Sequence, residues 1–327
     1  MSLLSRRSFL KKSAAIACAA CASQVPLPNA IGAQSGRELA TLIDIGKCIG
    51  CEACVEACRD ANTVKYPEPV KPFPKMYPSR VKAADWSTAE KRDVRDRLTP
   101  YNWVYIQEAR AKVGGRERTF TFPRRCMHCQ NPPCADLCPW GAARKFKNGI
   151  TLIDPHICLG GRKCQVVCPW DIPQRQTGVG LYLDLLPQFA GNGVMYKCDR
   201  CYNRIEEGEL PACIAACPEE VQTIGLRSDI IKTAHDIAAA TGAYVYGENE
   251  NGGTNTIYLS PVPFETLNRS IDKGPGRPHF NPVKDQMAHA DNLVKAMLIA
   301  PFAGLAAAFG RMYLTAKRAG GRDGGQP

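Results

Sequence analysis

Cysteine is the residue type in this sequence with the clearest capacity for chemistry. The chain of 327 residues contains 17 cysteines, and all but Cys18 and Cys21 stand in four tight groups. The groups are Cys48-x2-Cys51-x2-Cys54-x3-Cys58, Cys126-x2-Cys129-x4-Cys134-x3-Cys138, Cys158-x5-Cys164-x3-Cys168 and Cys198-x2-Cys201-x11-Cys213-x3-Cys217. A proline follows the last cysteine of the second, third and fourth groups. Repetition of this kind is typical of thiolates that bind metal and not of cysteines that staple loops.

The spacing within each group indicates iron–sulfur clusters. In bacterial ferredoxin runs, three closely spaced cysteines bind one cluster and the fourth binds a neighbouring cluster. Disulfide bonds would require neither four copies of one spacing nor a proline after the final cysteine. Zinc ribbons use two Cys-x2-Cys pairs, which leaves the third and fourth cysteine of each group without a role. A rubredoxin-type single iron would use four cysteines in the whole chain. We therefore expect every grouped cysteine to be an iron ligand.

The chain around these groups must hold the thiolates in place. A Cys-x2-Cys-x2-Cys loop wraps a compact cluster so that backbone N–H groups point at its sulfur atoms. We predict that the last cysteine of a group begins a helix, because the proline after it suits a first helical position, where no N–H is needed. Trp140 and Trp170, which follow two of these prolines, are expected to pack against the clusters and exclude water.

The N-terminal segment has the pattern of an export signal. Ser5-Arg6-Arg7-Ser8-Phe9-Leu10-Lys11 is a twin-arginine sequence, and small apolar residues follow from Ala14 to Val25. We predict a signal peptide over residues 1–33, removed together with its two cysteines; a short amphipathic helix is the alternative. This route exports folded proteins, which suits a chain whose clusters must be inserted before it meets an oxidising compartment. The predicted location is the periplasmic face of the cytoplasmic membrane.

The four groups together resemble the ferredoxin-like electron-transfer subunits of molybdopterin enzymes of the dimethyl sulfoxide reductase type and of periplasmic hydrogenases. The resemblance covers about Leu42 to Leu226, and its typical motifs are Cys-Met-His-Cys-Gln-Asn-Pro-Pro-Cys at 126–134 and Lys-Cys-Asp-Arg-Cys at 197–201. Within that set the chain is most similar to the hydrogenase-2 electron-transfer subunit and to the beta subunit of membrane-bound formate dehydrogenase. The resemblance implies an α+β fold of two pseudo-symmetric bacterial 2[4Fe–4S] ferredoxin-like modules within residues 34–270.

The resemblance also implies how the groups share ligands, because in this family the first group pairs with the fourth and the second with the third. We call the resulting ligand sets sites A to D. Site A comprises Cys48, Cys51, Cys54 and Cys217; site B comprises Cys198, Cys201, Cys213 and Cys58; site C comprises Cys126, Cys129, Cys134 and Cys168; site D comprises Cys158, Cys164 and Cys138.

Site D lacks a fourth thiolate because Gly161 stands at the expected ligand position of the third group. Three thiolates most simply hold a [3Fe–4S] cluster, so we expect three [4Fe–4S] clusters and one [3Fe–4S] cluster. A ligand from Asp154 or His156, or water on a labile fourth iron, would instead complete a cubane. Relatives with a replaced ligand in this group use that cluster on the quinone side. This implies that site D faces a membrane partner and site A faces a catalytic subunit.

An insertion at residues 59–125 separates the first two groups. Tyr101–Val113 and Arg116–Phe122 alternate apolar and polar residues around Gly114-Gly115, which predicts a β-hairpin. The mixed-charge run Lys91–Arg97 predicts an exposed helix face. The insertion also contributes aromatic residues that we expect in the core, namely Trp86, Trp103 and Tyr105.

The C-terminal region contains a second apolar segment. Ala296–Gly310 carries no charged residue, although a bilayer span needs ~20 apolar residues, so a surface helix on a partner is the alternative to a span. The lysines and arginines after it would place the C-terminus in the cytoplasm and the cluster domain outside. We predict a linker at 271–291, a membrane-anchor helix at 292–317 and a flexible tail at 318–327.

The remaining composition limits the function classes. The formal net charge of +11 permits an anionic partner, but no Lys/Arg run with interleaved aromatic residues indicates nucleic-acid binding. No Ser/His/Asp set, carboxylate pair or nucleotide-binding glycine loop indicates a catalytic site. We expect a non-catalytic electron-transfer subunit between a catalytic oxidoreductase subunit and an integral membrane quinone-reactive or cytochrome subunit. The alternatives are a stand-alone enzyme that uses site D, an electron carrier to a soluble partner, and a metal-storage module.

Overall fold

The computed structural model describes residues 37–73, 82–185 and 192–290, with the short stretches 300–301 and 310–312. The strands are β1 (Leu39–Asp44), β2 (Tyr105–Val113), β3 (Arg116–Arg124), β4 (Ala143–Lys145), β5 (Thr151–Ile153), β6 (Gln174–Gln176), β7 (Val194–Tyr196), β8 (Gln222–Leu226), β9 (Tyr244–Tyr246) and β10 (Thr256–Ser260). The helices are α1 (Ala53–Asn62), α2 (Ala89–Arg92), α3 (Pro133–Asp136), α4 (Lys163–Val166), α5 (Tyr202–Glu206), α6 (Ala212–Ala215), α7 (Arg227–Thr241) and α8 (Phe264–Ser270). This mixture of short helices and strands agrees with the predicted α+β class.

The largest sheet has the strand order β8-β1-β10-β9, with β1 parallel to β10 and antiparallel to β8. Because successive side chains of a strand point to opposite faces, β1 serves two layers. Ala40 and Leu42 pack with Ile230 of α7, whereas Ile43 belongs to the core that contains the cysteines. The sheet therefore lies between α7 and the cysteine groups.

The predicted hairpin is present as β2 and β3. Gly114 and Gly115 form its turn with φ angles of 57° and 80°, which favour glycine at both positions. The first strand begins at Tyr105 and not at Tyr101, because Thr99 and Asn102 exchange backbone hydrogen bonds in a tight turn. The hydroxyl of Thr121 donates to the carbonyl of Cys48 (3.1 Å), so the hairpin reaches the first cysteine group.

The mixed-charge run at 91–97 is helical only in part. Helix α2 ends at Arg92, and the prediction of a helix through Arg97 is wrong. The basic side chains pair with carboxylates elsewhere in the chain, Arg92 with Glu68 and Arg95 with Glu56, and not with neighbours one helical turn away. Among the aromatic residues of the insertion, Trp103 and Tyr105 are buried as predicted and Trp86 is half-buried.

Residues 271–290 run along the domain. Phe280 is 1% exposed and packs against the rings of Tyr246, Tyr258 and Phe264. The guanidinium carbon of Arg124 lies 4.0 Å from the centre of the Phe280 ring. The first part of the segment that the sequence suggested as a linker thus packs into the aromatic core.

Two predicted segments, the signal peptide (1–33) and the tail (318–327), lie outside the described residues, as does most of the predicted C-terminal helix (292–317). Within the part of the chain that the structure describes, no helix has the length and apolar character needed to cross a bilayer.

Candidate metal centres

Each cysteine group begins with the same backbone arrangement. The N–H group two residues after the first cysteine donates to the sulfur of that cysteine. These pairs are Gly50 to Cys48, His128 to Cys126 (3.5 Å), Gly160 to Cys158 and Arg200 to Cys198 (3.3 Å). All four donor residues have positive φ angles, between 47° and 70°. The expected N–H···S contacts are therefore present, and such contacts favour the charged thiolate.

Gly160 shows why one of these positions requires glycine. A Cβ atom there would lie 2.5 Å from the carbonyl oxygen of Gly193, and φ is +67°. His128 and Arg200 adopt the same backbone conformation with full side chains.

The ends of the groups differ from the prediction. Helices α3, α4 and α6 end just before Cys138, Cys168 and Cys217, and the following proline occupies the second position of a β-turn. The N–H groups of Gly141, Asp171 and Glu220, all with positive φ, donate to the carbonyls of these cysteines at 3.2, 3.1 and 3.4 Å. The prediction that the last cysteine begins a helix is wrong, because the fixed φ of proline suits a turn as well as a helix start. Cys58, which no proline follows, lies inside α1.

Sites A and C each surround one cavity. The four cysteines of site C line one pocket together with Trp170 and Lys197. The four cysteines of site A line another pocket together with Ile106 and Pro123 of the hairpin. The structure thus brings Cys217 to the first group and Cys168 to the second group.

The cysteines of site B lie near one another, and so do the cysteines of site D. Burial raises the pKa of the Cys58 thiol, and the charges of Cys213, Cys198 and Cys201 raise it further. Burial likewise raises the pKa of Cys158, with an added contribution from Cys138. The pKa of Cys164 rises by burial first and then through Cys134, Cys158, Cys138 and Cys168. Site D therefore adjoins site C.

The chemistry of these donors fits iron–sulfur clusters. All fifteen described cysteines are free thiols. In the described ranges, no three Cys, His, Asp or Glu side chains are arranged around the position of a single metal ion. Sets of soft sulfur donors around cavities, with N–H groups directed at the sulfur atoms, are what a polynuclear iron–sulfur cluster requires. Bound at these sites, such clusters would be held by the thiolates of sites A to D.

The position of the missing ligand in site D, residue 161, is accessible to solvent and has free space around it. Gly161 is exposed, and a Cβ atom built on it would meet no atom within 4 Å. The carboxylate of Asp154 accepts from Arg144 and from the N–H of His156, both at 2.9 Å. His156 is exposed.

The two tryptophans that follow Cys-Pro have different environments. Trp170 is 1% exposed, lines site C and donates to the hydroxyl of Tyr246 (3.0 Å), as the water-excluding role requires. Trp140 is 57% exposed, so the prediction that it covers a cluster is wrong. The shared turn therefore does not determine whether the tryptophan after it is buried.

Three buried cations beside the cysteines were not predicted from the sequence. Arg125 is fully buried and donates through Nη1 to the sulfur of Cys213 (2.9 Å), while Nε and Nη2 have no partner among the described residues. Lys197 donates to the carbonyls of Thr151 and Cys198. Arg200 is buried as well. Buried N–H groups without a partner cost free energy, so the unused donors of Arg125 indicate an anionic group that belongs there.

The only sequence signal for these cations is position. Arg125 and Lys197 directly precede the first cysteine of their groups. Lys47 occupies the same place before Cys48 and is exposed. The position alone therefore does not predict burial.

Comparisons with known proteins agree with this geometry. Two models of the 4Fe-4S dicluster domain match residues 47–142 and 118–227. A protein of Nitratidesulfovibrio vulgaris is 34% identical over 237 residues, 71% of this chain; the match spans only 57% of that protein. The hydrogenase-2 operon protein HybA of Escherichia coli O157:H7 is 28% identical over 309 residues, 81% of this chain and 83% of that protein.

The probable anaerobic dimethyl sulfoxide reductase chain YnfG of Escherichia coli K12 is 30% identical over 176 residues, 54% of this chain and 67% of that protein. Together the two dicluster models extend from just before Cys48 to beyond Cys217 and so contain all four cysteine groups. The cysteine motifs that line the pockets thus lie within regions that match one family. The chain belongs to the ferredoxin-like iron–sulfur electron-transfer subunits of the dimethyl sulfoxide reductase, formate dehydrogenase and hydrogenase-2 type.

Proposed function

We propose that this chain relays electrons between a periplasmic catalytic oxidoreductase subunit and a membrane quinone-reactive subunit. In this proposal the fifteen grouped cysteines hold three [4Fe–4S] clusters at sites A to C and one [3Fe–4S] cluster at site D. Iron–sulfur clusters supply one-electron carriers, whose potentials depend on cluster type, charge, hydrogen bonds and exposure. The chain supplies the thiolates, the N–H donors and the exclusion of water.

The observation that carries this proposal is the linear order of the four sites. Site A adjoins site B, because Cys54 and Cys213 interact electrostatically. Site B adjoins site C through Cys198 and Cys126, and site C adjoins site D through Cys134 and Cys164. A series of one-electron sites, each adjacent to the next, suits relay between two partners.

Both ends of this series reach the surface. At site A, Cys51 is exposed and Ile49 beside it is 63% exposed. At site D, Gly161 is exposed and apolar Trp140 and Val166 face solvent. Exposed apolar residues beside a terminal site suit protein contacts at each end. Following the family resemblance, we assign the catalytic subunit to site A and the membrane subunit to site D.

The arrangement also supports two modules that each hold two sites. Sites A and B combine the first and fourth groups, and sites C and D combine the second and third. We propose that these are two pseudo-symmetric ferredoxin-like modules. The repeated N–H···S contacts and the repeated Cys-Pro turns are what such symmetry would produce.

Isolation of the native complex tests the assigned role. The tagged chain would be purified anaerobically from detergent-solubilised membranes of its own host, and the accompanying subunits identified by mass spectrometry. We expect one catalytic oxidoreductase subunit and one integral membrane subunit, and a change in the redox state of the iron–sulfur signals when the catalytic substrate is added. A chain that purifies alone and turns over a substrate by itself would contradict the relay and support an enzyme based on site D.

Export is a separate part of the proposal. Replacement of Arg6 and Arg7 by lysine should leave the chain in the cytoplasm with residues 1–33 still attached. Cell fractionation and the N-terminal sequence of the product measure this, and carbonate extraction of membranes measures anchoring by residues 292–317. Efficient export of the lysine variant would contradict the twin-arginine route.

A further inference from the structure

The buried cations Arg125 and Lys197 are arranged in a crossed manner. Arg125 belongs to the second group, which ligates sites C and D, but its side chain donates to the sulfur of Cys213 of site B at 2.9 Å. Lys197 belongs to the fourth group, which ligates sites A and B, but its side chain lines the pocket of site C together with Cys126 and Cys134. Each group thus places a cation beside a site that the other group ligates.

Neither cation has a carboxylate partner. In the described residues, no ion pair joins Arg125 or Lys197 to an acidic side chain, and Asp199, the acid nearest to Lys197, pairs with Lys65 at 2.6 Å. A buried charge without an opposite charge costs several kcal/mol. The thiolates and the clusters that they bind are the anions available to balance these two cations.

Arg200 provides an internal contrast. Its guanidinium donates to the carbonyls of Leu39 and Asn255 and to the hydroxyl of Thr256, at 2.9, 2.7 and 3.0 Å. These bonds tie the fourth group to β1 and β10. Both terminal nitrogens of Arg200 thus serve the fold, and only its Nε lacks a partner among the described residues, whereas Nε and Nη2 of Arg125 both lack one there.

We propose that Arg125 and Lys197 are crossed counter-charges that raise the reduction potentials of sites B and C, each cation acting on the site that the other group ligates. An added electron makes a cluster more negative, and a fixed cation in a low-dielectric interior stabilises that state. Sites B and C lie where the two proposed modules meet. Because each of these sites has one buried cation beside it, their reduction potentials stay close to each other. This inference rests on the proposed occupation of the four sites.

Redox titration of the intact, anaerobically purified holoprotein tests it. The variants Arg125→Met and Lys197→Met remove the charge with little change in length, and Arg125→Lys and Lys197→Arg keep it. Lys47→Met is the matched control, since Lys47 holds the same place before a cysteine group but is exposed. Iron content is measured first, and the potentials are then followed by electron paramagnetic resonance.

We expect Arg125→Met to lower one midpoint potential and Lys197→Met to lower a different one. Each shift should be at least a tenfold change in the ratio of oxidised to reduced cluster at fixed potential, which is 59 mV for a one-electron couple. The charge-keeping variants should have midpoint potentials close to those of the unmodified protein. Lys47→Met should leave all potentials unchanged because solvent screens its charge.

Unchanged potentials in fully loaded methionine variants would overturn the inference, as would shifts of the same component in both. Equal shifts in the methionine and the charge-keeping variants would show a packing effect and would also overturn it. If Arg125→Met fails to retain iron, Arg125→Gln keeps a hydrogen-bond donor without charge and carries the same test. Failure of the proposed function would appear differently, as a lack of reversible one-electron signals in the unmodified protein.

Discussion

Sites C and D are built from the same two cysteine groups but differ in ligand number and in cover. Site C has four cysteines around a pocket lined by buried Trp170; three of the four are buried and Cys168 is half-buried. Site D has three cysteines, an exposed Gly161 at the fourth position and exposed Trp140 and Val166 nearby. One local chain geometry therefore yields an enclosed site and an open site.

The difference shows that the loop positions the thiolates while the residues between and around them decide what the site does. Both sites have the N–H contact to the first cysteine and the Cys-Pro turn after the last. Two features distinguish site D from site C. Site D has a glycine in place of one cysteine, and the tryptophan beside it is exposed, whereas the one beside site C is buried. Each of these differences can be changed by one substitution.

Removal of one cysteine from each site should give the largest and most unequal effects. Cys164→Ala leaves site D with two thiolates, and we expect loss of its whole cluster, about three iron atoms per chain. Cys129→Ala leaves site C with three thiolates, so it should come to resemble site D and lose about one iron. Iron analysis and electron paramagnetic resonance measure both. Equal losses from the two variants would contradict the difference in ligand number.

Addition of the missing thiol should remove the difference between the sites. A Cβ at residue 161 has free space, so Gly161→Cys should fold and gain about one iron per chain, with loss of the oxidised [3Fe–4S] signal. The potential of site D should fall, since a cubane replaces the three-iron cluster. Gly161→Ala is the control, because it adds the Cβ without a ligand. Unchanged iron content and an unchanged spectrum in Gly161→Cys would contradict our placement of the ligand gap.

The covering tryptophans should respond unequally to truncation. Trp170→Ala removes a buried side chain beside site C and should cost ~3–5 kcal/mol of unfolding free energy and speed bleaching in air. Trp140→Ala removes an exposed side chain and should change stability by less than ~0.5 kcal/mol. Urea unfolding followed by circular dichroism, and the decay of visible absorbance, measure the two effects. Comparable losses in both variants would show that Trp140 is covered in solution.

Iron removal should make stability depend on alkaline pH. Burial raises the pKa of Cys134 and Cys168 at site C to about 12, above the ~8.5 of an unfolded cysteine. Between these values the unfolded chain releases protons that the folded, iron-free chain keeps, so stability falls as pH rises, by up to ~1.4 kcal/mol per pH unit for each thiol. We expect a lower urea midpoint at pH 10 than at pH 8 for the iron-free protein and little change for the loaded one, whose thiolates are already bound. A higher midpoint at pH 10 in the iron-free protein would contradict the burial of these thiols.

The sequence predicted the parts of this molecule that depend on spacing and periodicity. The cysteine groups and the hairpin around Gly114-Gly115 are where the pattern places them. The partners across the fold, such as Cys217 beside the first group, came from family resemblance, since spacing within a group carries no information about contacts with distant groups.

Other features depend on tertiary packing and could not be read from local pattern. Proline after cysteine suits a helix start and a turn equally, and the turn occurs. Trp140 is exposed and Trp170 is buried with its indole N–H bonded to Tyr246, although both follow a Cys-Pro pair. Lys47 and Lys197 hold the same local position, yet only Lys197 faces other cysteine groups.

Electron paramagnetic resonance of the anaerobically purified protein, oxidised and then reduced stepwise, with iron counted on the same sample, tests the difference between sites C and D most directly. Our account predicts a [3Fe–4S] signal in the oxidised sample that gives way to cubane signals on reduction, with about fifteen iron atoms per chain. About sixteen iron atoms without that signal would contradict it, because site D would then hold a complete cubane through a ligand other than cysteine.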